Sequence, residues 1–228
     1  MQNLSKLDSS QWKKQLESIA YLSENYFSNI HQIREESLKL SREIIRNSAI
    51  SIRASHRAQF EEARTYLISA KQKLESINDI CHATPEVYYS RFIQDAQKEY
   101  VEACLTLAFL TNSSLPEIDN VSVNPASYLN GLSESVGELR RFILDQLRQN
   151  NPLDYEKLLG LMDDIYTLLA SIDYPDAITN NLRRNTDIAR SIMEKTRGDL
   201  TAASINQSFS SLTHIDPTPW LTIKTSLW

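Results

Sequence analysis

Apolar residues recur along most of the chain at the three- and four-residue spacing of a helix and almost nowhere alternate as in a strand. In residues 93–108, Ile93, Tyr100, Val101, Cys104, Leu105, Leu107 and Ala108 fall on one side of a helical wheel. Further upstream Leu40, Ile44, Ile45 and Ile52 are placed to pack. The pattern predicts a short helix over about 9–24 and a very long helical segment over 28–79. Further helices are expected over 86–111, 125–149, 153–171 and 176–198, with a loop at 112–124, "NSSLPEIDNVSVN".

The turn-forming residues agree. There are four glycines, none before Gly131, and no proline precedes Pro85. Pro85, Pro125, Pro152 and Pro175 each stand at the head of a helical segment, the first three behind Thr84, Asn124 and Asn151, which are good N-cap types. The expected fold is all-α: an antiparallel helical bundle with one very long N-terminal segment. Residues 1–200 form the helical domain and 201–228 a tail carrying Trp220 and Trp228.

With 228 residues, 41% of them apolar, the chain can bury a core in one domain. Its net charge of −5 gives no global signal for nucleic acid, so the placement of charge matters more than its sum. Cys81 and Cys104 make neither a CxxC pair nor a disulfide framework, which suits a reducing cytosol. The start, "MQNLSKLDSSQWKK", has no apolar core of a signal peptide, and no apolar run is long enough to suggest a membrane span.

One charge pattern stands out. Lys39, Arg42, Arg46, Arg53, Arg57, Arg64 and Lys71 fall within a band of roughly 60° if the segment is one continuous helix. Glu43 is the only acid between residues 37 and 60. A solvated face is one reading. Like charges at i,i+4 repel, however, and a row of them also suits a phosphate backbone, with Lys39, Arg42, Arg46, Arg53 and Arg57 as its centre.

Two acidic pairs form the second pattern. Glu99 and Glu102, in "KEYVEACLTLAFL", are side by side on a helix, opposite its main apolar face. Glu134 and Glu138 share a face in the next helix, and Gly131 and Gly137 lie to either side of it. Glycine inside a helix costs about 1 kcal/mol relative to alanine, so something comes close there, either another helix or a ligand. The acids are either a solvated flank or ligands for Mg²⁺ or Mn²⁺, which prefer oxygen donors. A di-iron Glu-x-x-His pattern is excluded, because Ser28, Arg53, Asp79 and Ser211 stand three before the four histidines. No Ser/His/Asp motif, zinc spacing or glycine-rich phosphate loop occurs.

The chain resembles the translin family over about residues 28–200. The resemblance is carried by "IREESLKLSREIIR", "YYSRF", "KEYVEA", "YLNGLSESVGELRR" and "LRRNTDIARSIMEKTRGDL" in that order. It implies a helical bundle assembled into closed, octamer-like shells that bind single-stranded RNA or DNA through basic residues facing the interior. The shell is formed by this chain alone or with a translin-type partner. The catalytic, Trax-type branch is a metal-dependent endoribonuclease. Carried over position by position, its metal-ligand role falls on Glu99, Glu102 and Glu134, with Glu138 as a further ligand or a support. The Trax pattern has aspartate where this chain has Glu134, so the carboxylate here reaches further by one methylene. The expected function is cleavage of single-stranded RNA in the cytoplasm. The alternative is a non-catalytic translin-like binder.

Overall fold

The computed structural model describes residues 9–151 and 154–213; the tail tryptophans and Pro152 lie outside the described residues. Among the described residues eight α-helices follow in order: α1 Ser9–His56, α2 Phe60–Cys81, α3 Pro85–Tyr88, α4 Arg91–Thr111, α5 Pro125–Arg148, α6 Tyr155–Ala170, α7 Asp176–Thr179 and α8 Leu182–Thr213. Among these residues there is no strand, and the fold is the all-α bundle expected.

Helix α1 spans 48 residues, about 72 Å at 1.5 Å per residue. It turns back at Arg57–Gln59 into α2, so the two form an antiparallel hairpin. Helix α4 packs on α1, α5 on α4, and α6 and α8 cover the other side of α5. Ile44, Leu74, Ile77, Ile93, Leu105, Leu139, Ile143, Met162 and Met193 are fully buried between these layers. The inner face of α1 is unusual. Ser37, Ser41, Ser48, Ser51 and Ser55 are all buried, and their small side chains let the neighbouring backbones come near; Ser51 donates to Ala63 O across the hairpin at 3.0 Å.

The expected elements are corrected in three places, and two expected segments merge. The 9–24 helix and the start of the long segment are one continuous helix. The long segment itself breaks at Arg57–Gln59, where Ala58 takes the left-handed conformation at φ 58° and Gln59 N bonds to Ala54 O. No glycine or proline marks this turn. The helix expected from 86 splits at Ser90, whose extended backbone (ψ 147°) caps α4. The helix expected over 176–198 splits at Asn180 and Asn181, both left-handed at φ 53° and 64°, a conformation asparagine tolerates better than most residues. Pro125 sits at the first turn of α5 as expected, and Asn124 caps it by accepting from Ala126 N at 2.8 Å. The expected division at residue 200 falls inside α8.

Candidate metal centre

Helix α4 presents Glu99 and Glu102 one turn apart, and α5 presents Glu134 opposite them. One carboxylate oxygen from each lies within 4.8 Å of the other two. What brings α5 so close is Gly131, one turn before Glu134. A Cβ there would stand 2.7 Å from Lys98 O and 2.9 Å from Val101 Cβ. Of the two readings of this glycine, the neighbour is a helix, and its closeness sets the spacing of the acids. Gly137 differs: its nearest neighbour would be Ile192 Cδ1 at an ordinary 3.9 Å.

The three acids are half-buried and repel one another. Burial, then the charges of Glu99, Glu134 and Glu138, push the Glu102 carboxyl up to about 8, with Lys98 acting in the opposite sense. Burial also raises Glu99, where Lys98 pulls down and Glu134 pushes up. Lys98 Nζ lies 2.8 Å from Glu134 Oε1 and 3.5 Å from Glu99 Oε1. Burial disfavours its charge, but the carboxylates outweigh this and raise its pKa. The donors are all oxygen, the choice of Mg²⁺ and Mn²⁺. Oxygens bound to one such ion at about 2.1 Å are at most about 4.2 Å apart, so small side-chain shifts would close the trio around an ion. The residues fit a divalent cation.

Glu138 is one turn beyond Glu134 but is not one of the trio. Its Oε2 is 2.5 Å from His56 Nε2, which reaches across from the end of α1, and 3.5 Å from Arg141 Nη1. Burial disfavours its charge, yet the bond and charge of His56, followed by Arg141, hold its carboxyl below the usual range.

Lys39, Arg42, Arg46 and Arg53 are exposed along α1 and have no ion-pair partner among the described residues. Arg57 is exposed in the turn and donates to Gln59 Oε1. Arg64 and Lys71 belong to α2, folded back, so the single line of seven expected from a continuous helix does not exist. Arg53 and Arg57 instead meet Arg141 and Arg148 of α5 around a cavity of about 270 Å³.

A sequence profile of the translin family matches residues 11–197. The chain belongs to the translin family. An uncharacterized protein of Methanocaldococcus jannaschii is 34% identical over 178 residues, 77% of this chain and 78% of that one. The solved structure of AfC3PO in complex with duplex RNA has 33% identity and a TM-score of 0.76, covering 82% of this chain and 97% of that one; a crystal structure of AfC3PO gives the same figures. Apo-NeC3PO, at 21% identity and a TM-score of 0.71 over 81% of this chain and 96% of that one, shares the fold.

In this translin-family chain the spacing of the acids gives two separate pairs, the family resemblance is what sets Glu99, Glu102 and Glu134 together, and both pass over two groups beside them. Lys98 is signalled only by standing next to Glu99. His56 pairs with a residue 82 positions away, so no local spacing could announce it. Among the described residues no helix is long and apolar enough to cross a membrane.

Proposed function

We propose that this chain is a divalent-cation-dependent endoribonuclease of the Trax-type branch, cutting single-stranded RNA inside a closed oligomer in the cytoplasm. The observation that carries the reading is the convergence of Glu99, Glu102 and Glu134 from two helices; exposed Arg42, Arg46 and Arg53 on α1, without an ion-pair partner among the described residues, support it. On this reading residues 1–200 carry the catalytic bundle and 201–228 a tail.

Glu99, Glu102 and Glu134 would hold Mg²⁺ or Mn²⁺. Bound there, the cation would activate water and offset the charge of a phosphoryl transition state. Lys98 holds Glu134 in place through its 2.8 Å contact and lowers the repulsion among the acids. Glu138 is kept charged by His56 and Arg141, which makes it a support of the centre rather than a ligand. Lys39, Arg42, Arg46, Arg53 and Arg57 would hold the phosphates of the strand, RNA or single-stranded DNA, and so carry affinity rather than cutting.

Assembly is supported by the first part of α1. Trp12, Leu16, Ile19 and Tyr26 are each more than half exposed. They stand at steps of 4, 3 and 7 that continue into Ile30 and Ile33, which pack on the core. A stripe of this kind suits a second copy of the chain, or a translin-type partner, in an octamer-like shell.

Because AfC3PO was solved with duplex RNA, a second reading is a translin-like protein that binds RNA, double-stranded included, without cutting it. Labelled single-stranded and duplex RNA, incubated with Mg²⁺, Mn²⁺ or chelator, separate the two. Cation-dependent cleavage of the single strand, lost in Glu102→Gln while binding is kept, is the expected result. Tight binding without cleavage under any cation would establish the second reading.

A further inference from the structure

Beside the metal centre lies a polar pocket of about 280 Å³, walled by α4, α5 and the link between α7 and α8. It shares Lys98 and Glu134 with the centre. From there it runs along one face of α4 through Asp95 to Arg91, and along one face of α5 through Asn130 to Ser127. The distance from Lys98 to Arg91 along α4 is about 10 Å. A strand that runs along this wall from a phosphate at the carboxylates would place its neighbouring nucleoside in this pocket. The volume is near the lower end of small-molecule sites, roughly 300–1,000 Å³, which suits one base and its sugar and not a duplex.

The chemistry of the lining is that of single-strand recognition. Tyr89 is 59% exposed at the rim, and Tyr88 packs edge-on against it with centroids 5.1 Å apart, holding its ring in orientation. An aromatic face of this kind stacks any base. The floor is rigid. Buried Asn130 donates to Ala126 O and Thr179 O, both at 2.8 Å, and accepts from Asn185 Nδ2 at 2.7 Å, while Asn180 donates to Gln94 Oε1. Above that floor the Asn181 amide and the Arg184 guanidinium line the cavity, and neither side chain has a hydrogen-bond or ion-pair partner among the described residues. An amide offers a donor and an acceptor to a base edge, and a guanidinium a fork to a phosphate.

We propose that this pocket is the nucleoside subsite flanking the metal centre: one unstacked RNA base lies on Tyr89, Asn181 reads its edge, and Arg184 takes the adjoining phosphate. The proposal rests on the RNA-cleaving reading above and adds to it the place where base preference is set.

The test is binding of fluorescein-labelled octamers A8, C8 and U8 in chelator, followed by anisotropy, together with mapping of cleavage positions under Mg²⁺. The variants are Tyr89→Leu, Asn181→Gly and Arg184→Gln. Glycine keeps the left-handed backbone at 181 while removing the amide, and residues 89 and 184 are exposed, so all three should fold; melting curves check this. Tyr89→Leu should weaken all three octamers by about tenfold. Asn181→Gly should change the ratios among them by about threefold or more and move the preferred cleavage positions. Arg184→Gln should lower the slope of log K against log salt by about 0.7. Variants that bind and cut as the parent does would overturn the subsite and leave the metal centre standing. Loss of binding in these variants alongside full cleavage by Glu102→Gln would keep the subsite and remove the metal reading. A parent that binds none of the octamers would overturn both.

Discussion

Gly131 on α5 faces the backbone of Lys98 on α4 so closely that a Cβ would stand 2.7 Å from the Lys98 carbonyl oxygen. Backbone cannot yield as a flexible side chain does, so Gly131→Ala must push the two helices apart. A destabilisation of about 1–3 kcal/mol is expected in urea unfolding, with weaker Mn²⁺ binding because Glu134 moves with α5. Gly137→Ala is the control. It meets nothing closer than 3.9 Å and should stabilise by up to about 1 kcal/mol through helix propensity. Equal effects from the two substitutions would remove Gly131 from any role in spacing the acids.

The carboxylates make cation binding depend on pH. Burial and its acidic neighbours raise the Glu102 carboxyl to about 8 in the folded chain, from an ordinary value near 4.5. In chelator, the contribution of this group to stability is therefore fully present below about pH 4.5 and is lost as pH rises to about 8. A cation must displace that proton, so the rise in melting temperature caused by Mn²⁺ should be larger at pH 8 than at pH 6. Glu102→Gln should melt higher than the parent in chelator at pH 8 and lose most of the response to Mn²⁺. A parent with the same Mn²⁺ response at both pH values would rule out this carboxyl as a ligand.

The bond between His56 and Glu138 joins the end of α1 to α5 next to the centre. His56→Ala leaves Glu138 with only the 3.5 Å contact to Arg141, at an expected cost of about 1–3 kcal/mol. The Glu138 pKa is depressed in the folded chain, so its stabilising contribution is present above about pH 4.5 and is lost as pH falls through the lower folded value. His56→Ala should accordingly flatten the acid side of the stability profile. An unchanged acid limb would mean that His56 contributes packing alone.

Arg42, Arg46, Arg53 and Arg57 are exposed, and the first three lack any ion-pair partner among the described residues. Replacing all four with Gln should weaken single-stranded RNA binding, and each phosphate left without its cation should lower the salt slope by about 0.7. Adding Arg141→Gln and Arg148→Gln should lower it further, because both line the same cavity as Arg53 and Arg57. A slope that stays constant through the series would return these residues to a solvated face.

Light scattering should give a mass well above the 26.1 kDa of one chain. Removing residues 1–24 deletes Trp12, Leu16 and Ile19 and should lower that mass while leaving the bundle helical, since residues 10–24 supply none of the buried core among the described residues. A full-length chain that stays monomeric at micromolar concentration would exclude the shell.

The helix content was legible because so few residues in this sequence break helices, and the α5 cap was legible because Asn124 and Pro125 act locally. Glu99 and Glu102 could be paired from spacing alone, but Glu134 was joined to them only by the family resemblance; the two helix glycines hinted at a close approach without saying to what, and only Gly131 makes one. The turns at Ala58 and at Asn180–Asn181 were not legible, because a left-handed residue other than glycine is fixed by the packing of the helices on either side. The buried serines of α1 were not legible as interior positions. A 3.6-residue pattern of hydrophobicity does not register a seam made of small residues.

On the proposed assembly, the exposed start of α1 would tie the lifetime of the protein to its own abundance. From residue 10 to 29 every side chain but Ser23 is exposed, a rod of about 30 Å with an apolar edge. A helix of that length, anchored near one end by the Tyr26 hydroxyl donating to Glu86 Oε1 at 3.0 Å and with little other surface to lie on, is marginal in water and frays. In a dilute solution the rod is thus open to proteases and prone to sticking, and mass action towards the assembled form covers it. Melting temperature and resistance to limited proteolysis should both climb with protein concentration, so that a subunit made in excess of its partners is the one first removed.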